Sequence, residues 1–238
     1  MANPTAAMIV IGDEILSGRT QDTNTRFLAQ ALTKNGIDLL EARVIADDPD
    51  VIKQTVAQLS AQVNYVFTSG GIGPTHDDIT ADCVAAAFDR PIDVRSDARA
   101  LLAAHYERTG GELNAARLRM ARIPDGAVLI DNPVSTAPGF VIENCHVMAG
   151  VPAVFEAMVA SILPTLTGGV PLLSETVRFD IGEGELAGPL AKLAADFPDV
   201  SIGSYPFHQN GIYGAHIVLR SQDNTMLQTA KKSLKTLI

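Results

Sequence analysis

Two adjacent carboxylates follow a glycine-rich stretch in the sequence TSGGIGPTHDDIT, residues 68–80. An apolar run leads directly into this stretch, which predicts a strand, a loop and the start of a helix. Gly70, Gly71 and Gly73 lack a Cβ, so the loop can take positive φ angles and a ligand can approach the main chain closely. Exposed N–H groups in such a turn, together with those of the next helix, bind phosphate without a lysine. The stretch therefore predicts a phosphate site.

Asp77 and Asp78 would repel a phosphate at this loop unless a cation lay between them. Divalent ions bridge carboxylates and phosphate oxygens in this way. The pattern therefore predicts a site for phosphate and a divalent metal, such as Mg²⁺, Mn²⁺ or Co²⁺, with a monovalent cation as a possible addition. The alternative is a glycine turn whose carboxylates only complement the helix dipole, with Thr80 capping a helix over residues 81–88.

Further carboxylates follow two other predicted strands. Asp13 comes after a short apolar strand at residues 8–11, and Asp47 follows an extended segment at residues 37–45. Ligands of open parallel sheets bind beyond the carboxyl ends of the strands. We therefore expect Asp13 and Asp47 to join Asp78 as metal ligands. The neighbouring Asp48 is instead predicted to cap the next helix, whose first position is a proline.

Other catalytic chemistries find little support in the sequence. His76 is a candidate general base, although a loop histidine beside glycines is more often exposed or engaged in a hydrogen bond. The other four histidines have no metal-ligand spacing. Ser17 and Ser69 have no recognisable histidine and aspartate partners, so nucleophilic catalysis is not predicted.

These residues carry a family resemblance. The glycine stretch resembles the GGxG-x-x-x-D signature of the molybdopterin-binding fold, and its THDDIT form is similar to the N-terminal domain of competence/damage-inducible protein A (CinA). The GDEILSG sequence at residues 12–18, APGF at 137–140 and AGVP at 149–152 agree with this pattern. The resemblance covers residues 8–158.

The CinA resemblance implies metal-dependent hydrolysis of a nucleotide pyrophosphate, with ADP-ribose as substrate and Asp77 and Asp78 as catalytic residues. The wider fold family implies molybdopterin binding or adenylylation in molybdenum cofactor biosynthesis, and a third alternative is a non-catalytic nucleotide-binding module. The deamidase domain of full-length CinA is not expected here. The small-molecule ligand, a nucleotide or pterin phosphate, is expected to contact Gly12, Ser69, Gly70, Gly71, Gly73, Thr75, Pro138 and Gly139.

The alternation of strands and helices predicts an α/β fold, a three-layer α/β/α sandwich with a mainly parallel sheet over residues 1–168. A Gly- and Pro-containing linker at residues 167–171 follows. Residues 172–238 are predicted to form a separate small α+β module with the order β-α-β-β-α.

The composition and net charge of the chain limit the partners that we expect. A net charge of −9 and a pI near 4.9 argue against a nucleic-acid or membrane surface, and no apolar run is long enough to cross a bilayer. The two cysteines form neither a metal motif nor a disulfide framework, and no signal peptide is visible, so a cytoplasmic location is expected. Relatives of the resembled fold predict a homo-oligomer, most simply a dimer.

Overall fold

The computed structural model describes residues 2–237. Met1 and Ile238, which the predicted domain ranges include, lie outside the described residues. The chain forms two compact units, one up to Gly169 and the other from Val170 onward.

A six-stranded sheet is the centre of the first unit. Its strand order is β2-β1-β3-β8-β7-β6, where β1 pairs in parallel with β2 and β3, and β3 pairs in parallel with β8. Only β7 runs antiparallel to its neighbours β8 and β6. The strands are β1 (Thr5–Ile11), β2 (Asp38–Ile45), β3 (Tyr65–Ser69), β6 (Val128–Ile130), β7 (Gly139–Ile142) and β8 (Cys145–Met148), with β4 (Ile92–Val94) and β5 (Arg122–Pro124) forming a separate antiparallel pair.

Seven helices belong to the described part of the first unit. They are α1 (Asp13–Leu16), α2 (Asn24–Lys34), α3 (Pro49–Ser60), α4 (Thr80–Ala87), α5 (Ser96–Thr109), α6 (Ala115–Leu118) and α7 (Pro152–Ile162). Two 3₁₀ turns, Arg119–Ala121 and Leu163–Thr165, follow α6 and α7.

Helices cover both faces of the six-stranded sheet. On one face, Ala7, Ile9 and Ile11 of β1 pack with residues of α3, α4 and α5. On the other, Ala6, Met8 and Val10 pack with residues of α2 and α7. Because successive side chains of a strand point to opposite faces, one apolar strand supplies both cores. The predicted α/β sandwich with a mainly parallel sheet is confirmed.

The helix starts explain how the loops at the sheet edge are held. Asp48 caps α3 as predicted, because its carboxylate accepts hydrogen bonds from the N–H groups of Asp50 and Val51, each at 3.0 Å. The predicted Thr80 cap is wrong. The N-cap of α4 is Ile79, and the N–H of Thr80 donates to the Gly71 carbonyl oxygen at 3.0 Å. Thr80 is thereby drawn inward against the glycine loop, and its hydroxyl is buried.

The second unit is a three-stranded antiparallel sheet with the order β10-β11-β9 and two helices. Its elements are β9 (Leu173–Phe179), α8 (Glu183–Asp196), β10 (Ser201–Gln209), β11 (Ile212–Ser221) and α9 (Asn224–Leu237). Its core contains Ala215, Ile217 and Leu219 of β11, packed against Leu193 and Leu234 of the helices. Across residues 2–237, every helix is too short or too polar to cross a membrane.

Candidate functional site

The carboxyl ends of four parallel strands meet at one edge of the large sheet. The N–H of Gly12, after β1, donates to the Ile45 carbonyl oxygen at 3.1 Å, which joins the ends of β1 and β2. The N–H of Gly70, after β3, donates to the Met148 carbonyl oxygen at 3.1 Å, which joins β3 to β8. The loops that follow these strands therefore surround a common space.

That space is a cavity of about 620 Å³. Backbone forms much of its wall, because five glycines line it: Gly12, Gly70, Gly71, Gly73 and Gly150. Four of these were predicted from the sequence to contact phosphate. The fifth, Gly150, packs so closely on Gly70 that a Cβ at position 150 would lie 3.2 Å from the Gly70 Cα atom.

The backbone conformation of the loop excludes other residues at two positions. Gly70 has φ +111° and Gly71 has φ +69°. A Cβ at position 70 would lie 2.2 Å from the Ile11 carbonyl oxygen, and one at position 71 would lie 2.1 Å from the Thr80 hydroxyl. Gly73 differs, because its φ is not positive and an added Cβ would instead meet the Asp78 carboxylate at 2.6 Å.

Four carboxylates also line the cavity: Glu14, Asp47, Asp77 and Asp78. The Asp47 carboxylate accepts a hydrogen bond from the N–H of Asp13 at 2.9 Å. Burial nevertheless raises the pKa of Asp47 above its ordinary value, and the negative charges of Asp13, Glu14 and Asp77 raise it further. Both effects disfavour the ionised form of Asp47.

Asp78 has a structural role in the loop. Its carboxylate accepts hydrogen bonds from the N–H and the hydroxyl of Thr75, at 2.7 and 2.5 Å. The Arg119 guanidinium donates to the Asp78 carbonyl oxygen at 3.0 Å. Asp78 is thus held in place at the cavity wall on both its side chain and its backbone.

The predicted metal ligands come together only in part. Asp47 and Asp78 line the cavity, whereas Asp13 contributes its backbone N–H and its side chain is exposed. Glu14, one residue later on the short helix α1, takes the place on the cavity wall that was predicted for Asp13. Within residues 2–237, no three His, Cys, Asp or Glu side chains are arranged so that they alone could hold a metal ion.

Four residues predicted to contact phosphate do not line the main cavity. Ser69 is buried and its hydroxyl accepts a hydrogen bond from Asn24 at 2.7 Å. The backbone and hydroxyl donors of Thr75 are used by Asp78. Pro138 borders a small gap beneath the loop. Gly139 is a packing residue, because a Cβ there would lie 2.4 Å from the Val147 carbonyl oxygen.

Three side chains considered in the sequence analysis do not line the cavity. The His76 side chain is 99% exposed, with Asp77 at 3.8 Å, which matches the alternative of an exposed loop histidine. Both cysteines are buried, and burial raises the pKa of Cys83 to about 11 and that of Cys145 to about 12. At these pKa values, both thiols stay protonated at neutral pH.

Sequence reasoning missed Asn24, which joins three parts of the site. Its amide nitrogen donates to the Ser69 hydroxyl at 2.7 Å and to the Gly150 carbonyl oxygen at 2.8 Å. Asp22 holds the start of the same helix, because its carboxylate accepts from the N–H groups of Asn24 and Thr25.

Comparison with known proteins identifies the family. A family model described as a probable molybdopterin binding domain matches residues 7–168. The chain belongs to the molybdopterin-binding domain family. A second model, described as the middle domain of FAD synthase, matches residues 171–238. The molybdopterin-binding match includes the glycine loop and all four cavity carboxylates.

Relatives from several organisms align with most of this chain. A protein of Archaeoglobus fulgidus is 34% identical over 199 residues, which cover 84% of each chain. A probable FAD synthase of Caenorhabditis elegans is 32% identical, covering 98% of this chain and 50% of that protein. A CinA-like protein of Desulforapulum autotrophicum is 34% identical, covering 85% of this chain and 52% of its own. The chain thus spans about half the length of the latter two relatives.

A solved structure agrees with the family assignment. The crystal structure of CinA from Thermoplasma acidophilum, described as a protein of unknown function, is 33% identical. It superposes with a TM-score of 0.63 and covers 68% of this chain and 97% of its own. The resemblance to molybdopterin-binding and CinA proteins that the motifs indicated is confirmed.

Proposed function

We propose that the cavity binds a phosphorylated pterin or nucleotide and that the glycine loop holds its phosphate. The observation that carries this proposal is the wall formed by Gly70 and Gly71, where positive φ angles bring bare backbone to the cavity. Backbone N–H groups in such a turn bind anions. Because the Gly70 N–H already donates to the Met148 carbonyl oxygen, the donors for phosphate would be those of the loop residues that follow Gly70. Membership of the molybdopterin-binding family supports a pterin, and the FAD synthase relatives support a nucleotide.

The size and lining of the cavity support a ligand with a ring system. A volume of about 620 Å³ lies in the range of small-molecule sites, roughly 300–1,000 Å³. Met120, Val151 and Val154 supply apolar wall, and Arg19 supplies a positive charge. The apolar residues suit a flat heterocycle, while Arg19 suits an anionic group that extends from it.

A divalent cation would resolve the charge problem of this cavity. The four cavity carboxylates would repel a phosphate. Burial of Asp47 and the charges of neighbouring carboxylates already raise the pKa of Asp47. We propose Asp47 and Asp78 as metal ligands, with phosphate oxygens and water as the remaining ligands, because no three such side chains within residues 2–237 are placed to hold an ion together. Glu14 takes the position on the cavity wall that was expected for Asp13 without completing the set of ligands. Mg²⁺, Mn²⁺ and Co²⁺ all accept such oxygen donors, and an added monovalent cation stays part of this proposal.

Hydrolysis of a nucleotide pyrophosphate, such as ADP-ribose, is a second candidate. The position of Asp77 and Asp78 directly after the glycine loop favours it, because carboxylates there are adjacent to any bound phosphate. A bound divalent metal would polarise phosphorus and acidify its water. The chain's own residues would hold the phosphate at the loop and the metal at the carboxylates.

Calorimetric titration of the purified protein tests the proposal. Molybdopterin, ADP-ribose and FAD are each titrated with and without Mg²⁺. We expect saturable binding of at least one ligand with one site per chain, and tighter binding in the presence of Mg²⁺. Absence of binding by all three would refute the proposed function.

Product analysis then separates binding from hydrolysis. The protein is incubated with ADP-ribose and Mg²⁺, Mn²⁺ or Co²⁺, and AMP is measured by chromatography. Release of AMP supports the hydrolase. If a ligand binds and no nucleotide is consumed, the hydrolase is excluded and the binding function stands. The predicted homo-oligomer stays a prediction, which light scattering tests against the 25.2 kDa mass of one chain.

A further inference from the structure

A small gap opens beside the cavity of the first unit, lined by residues of β1, α1 and the segment that leads into α2. Its volume is about 50 Å³, and Glu14, Thr20 and Gly150 line both the gap and the cavity. One water molecule needs roughly 10–15 Å³ of such space, so the gap has room for a few atoms and not for a ring system. A ligand in the cavity can therefore place only an edge group here.

Asn24 brings an unpartnered hydrogen-bond acceptor to the wall of this gap. Its side chain amide nitrogen donates to the Ser69 hydroxyl and to the Gly150 carbonyl oxygen, and all three residues line the gap. Because a carbonyl oxygen can only accept, the atom that faces Gly150 must be the nitrogen, which fixes the orientation of the amide. Asn24 is 5% exposed, and within residues 2–237 its Oδ1 atom has no hydrogen-bond partner.

The other groups of fixed polarity in the gap are also acceptors. Glu14 and Asp22 contribute carboxylates, and none of the described residues that line the gap is a lysine, arginine or histidine. Hydroxyl groups of the lining residues can donate or accept, so the fixed acceptors decide which ligand groups the gap favours. A buried acceptor without a partner costs free energy. The gap therefore favours a ligand group that supplies N–H donors.

We infer that the gap receives the amino group of a 2-amino-4-oxopyrimidine ring, the edge that pterins and guanine share, and that Asn24 Oδ1 accepts a hydrogen bond from it. This inference rests on the proposed function, in which the phosphate of the same ligand lies at the glycine loop. A ring N–H stands beside the amino group in such a ring, so the ligand presents two neighbouring donors. Glu14, which lines both spaces, can accept the second. Asn24 is thus a specificity-determining residue of the cavity.

Adenine and flavin rings match these acceptors less well. In adenine, the amino group stands beside a ring nitrogen that carries no hydrogen, and this nitrogen would face the Glu14 carboxylate. In a flavin, the ring N–H lies between two carbonyl oxygens, and these would face Asn24 Oδ1 and Glu14. Both arrangements set acceptor against acceptor, which disfavours binding. The gap therefore selects among the ligands that the glycine loop would accept.

Calorimetric titration of the full chain with Mg²⁺ compares two pairs of ligands that differ only at the amino group. One pair is 6-hydroxymethylpterin phosphate and its lumazine counterpart, which has an oxygen in place of the amino group. The other is 5′-GMP and 5′-IMP, which has a hydrogen there. We expect the amino-bearing member of at least one pair to bind about tenfold or more tightly than its counterpart, and that pair identifies the ring.

The same titrations separate failure of this inference from failure of the proposed function. Equal or reversed affinity within every pair that binds overturns the inference and leaves the proposed function in place. Binding of ADP-ribose by a protein that binds neither pair does the same. Absence of binding by all of these ligands, together with molybdopterin and FAD, refutes the proposed function as well.

A matched pair of variants tests whether Asn24 selects the amino group. In Asn24→Ala the ratio of affinities within the discriminating pair should fall to about one, whereas a merely structural loss would weaken both ligands by the same factor. Asn144→Ala removes an amide that donates to the Ser60 and Val63 carbonyl oxygens at 3.0 and 2.9 Å, away from the gap and the cavity. Its ratio should match that of the parent protein. An unchanged ratio in Asn24→Ala, or equal falls in both variants, overturns the inference. If Asn24→Ala does not fold, the ratio in the parent protein decides the question.

Discussion

The cavity of the first unit and one sheet face of the second unit present opposite chemistries. This open face consists of the residues of β9, β10 and β11 that alternate with those facing α8 and α9, and it includes Arg178, Tyr205 and Arg220. The cavity combines bare backbone with carboxylates, whereas the open face combines aromatic rings with arginines, one of which pairs with Asp180 just beyond the end of β9. The difference follows from position in the sheet. Loops after parallel strands can turn their backbone toward a ligand, while the backbone N–H groups inside a strand are hydrogen-bonded to the neighbouring strands. Ligand binding at the cavity loop should therefore be sensitive to an added Cβ atom.

Adding one methyl group to the glycine loop should produce the largest effect. In Gly71→Ala the new Cβ would lie 2.1 Å from the Thr80 hydroxyl, in a residue with φ +69°, so the loop must shift. We expect the affinity for the phosphate ligand in the cavity to fall by about a hundredfold, as misplacement by about 1 Å can cause. Calorimetry with the ligand found in the titration panel measures this.

Gly110→Ala is the matched control. Gly110 has φ +73°, yet an added Cβ there would meet no atom within 4 Å. The variant bears the same backbone strain, about 1–3 kcal/mol, away from the cavity. Ligand affinity should stay at the parent value. If both variants lost affinity equally, the loss would reflect general destabilisation. The claim that the backbone of the glycine loop binds the phosphate would then be wrong.

Removing one carboxylate charge should have the next largest effect. Asp78→Asn keeps an oxygen that can accept the Thr75 N–H bond, so the fold should persist, but the charge that faces the cavity is lost. We expect Mg²⁺-dependent ligand binding to weaken about tenfold or more. Titration of Mg²⁺ at fixed ligand concentration gives the change in metal affinity.

The control for this charge is Asp48→Asn. Asp48 caps α3 and does not line the cavity. Asparagine caps a helix about as well as aspartate, so this variant removes a nearby charge without loss of the cap. Metal affinity should be unchanged. A loss equal to that of Asp78→Asn would mean that Mg²⁺ responds to overall charge and has no defined ligand at residue 78.

A feature of the structure could be predicted from the sequence when the residues that form it lie close together along the chain. The glycine loop and the Asp48 cap are local patterns, and both have the predicted backbone form. Asn24 acts through residues 45 and 126 positions away, which no local pattern encodes. Whether Asp13 or Glu14 faces the cavity depends on the orientation of the one-turn helix α1. The adjacent residues in the sequence do not determine this orientation.

Thr80 and the open face show two other limits. A threonine before an apolar run predicts a helix cap. The N–H of Thr80 instead donates to the carbonyl oxygen of Gly71, nine residues earlier, and this tertiary contact places Thr80 inside the helix and not at its cap. Along each of the three strands, residues of the open face alternate with residues that face the helices. Strand periodicity separates the two sets, but only packing of α8 and α9 decides which set is buried.

The smallest expected effect concerns the negative charge of Asp47, which lies near other carboxylates of the cavity. Burial and neighbouring carboxylates raise the pKa of Asp47 in the folded protein above its value in the unfolded chain. Between these two pKa values the folded state holds the proton more tightly, so stability falls as pH rises through this interval and the penalty is complete above the folded pKa. At neutral pH without metal, ionised Asp47 therefore destabilises the fold.

Asp47→Asn should consequently raise the melting temperature of the metal-free protein at pH 7. Asparagine can still accept the Asp13 N–H bond, and the partial exposure of the site limits the gain to about 2 °C or less. The gain should disappear below about pH 4, where the parent carboxyl is protonated. Mg²⁺ should reverse the order at neutral pH, because it stabilises only a protein that retains the Asp47 charge as a ligand. Calorimetric melting curves of both proteins at the two pH values, with and without Mg²⁺, measure these differences. A lower melting temperature for the variant at pH 7 without metal would mean that Asp47 stabilises the fold through its Asp13 contact, and that crowding of cavity charge is not what distinguishes this edge from the open face.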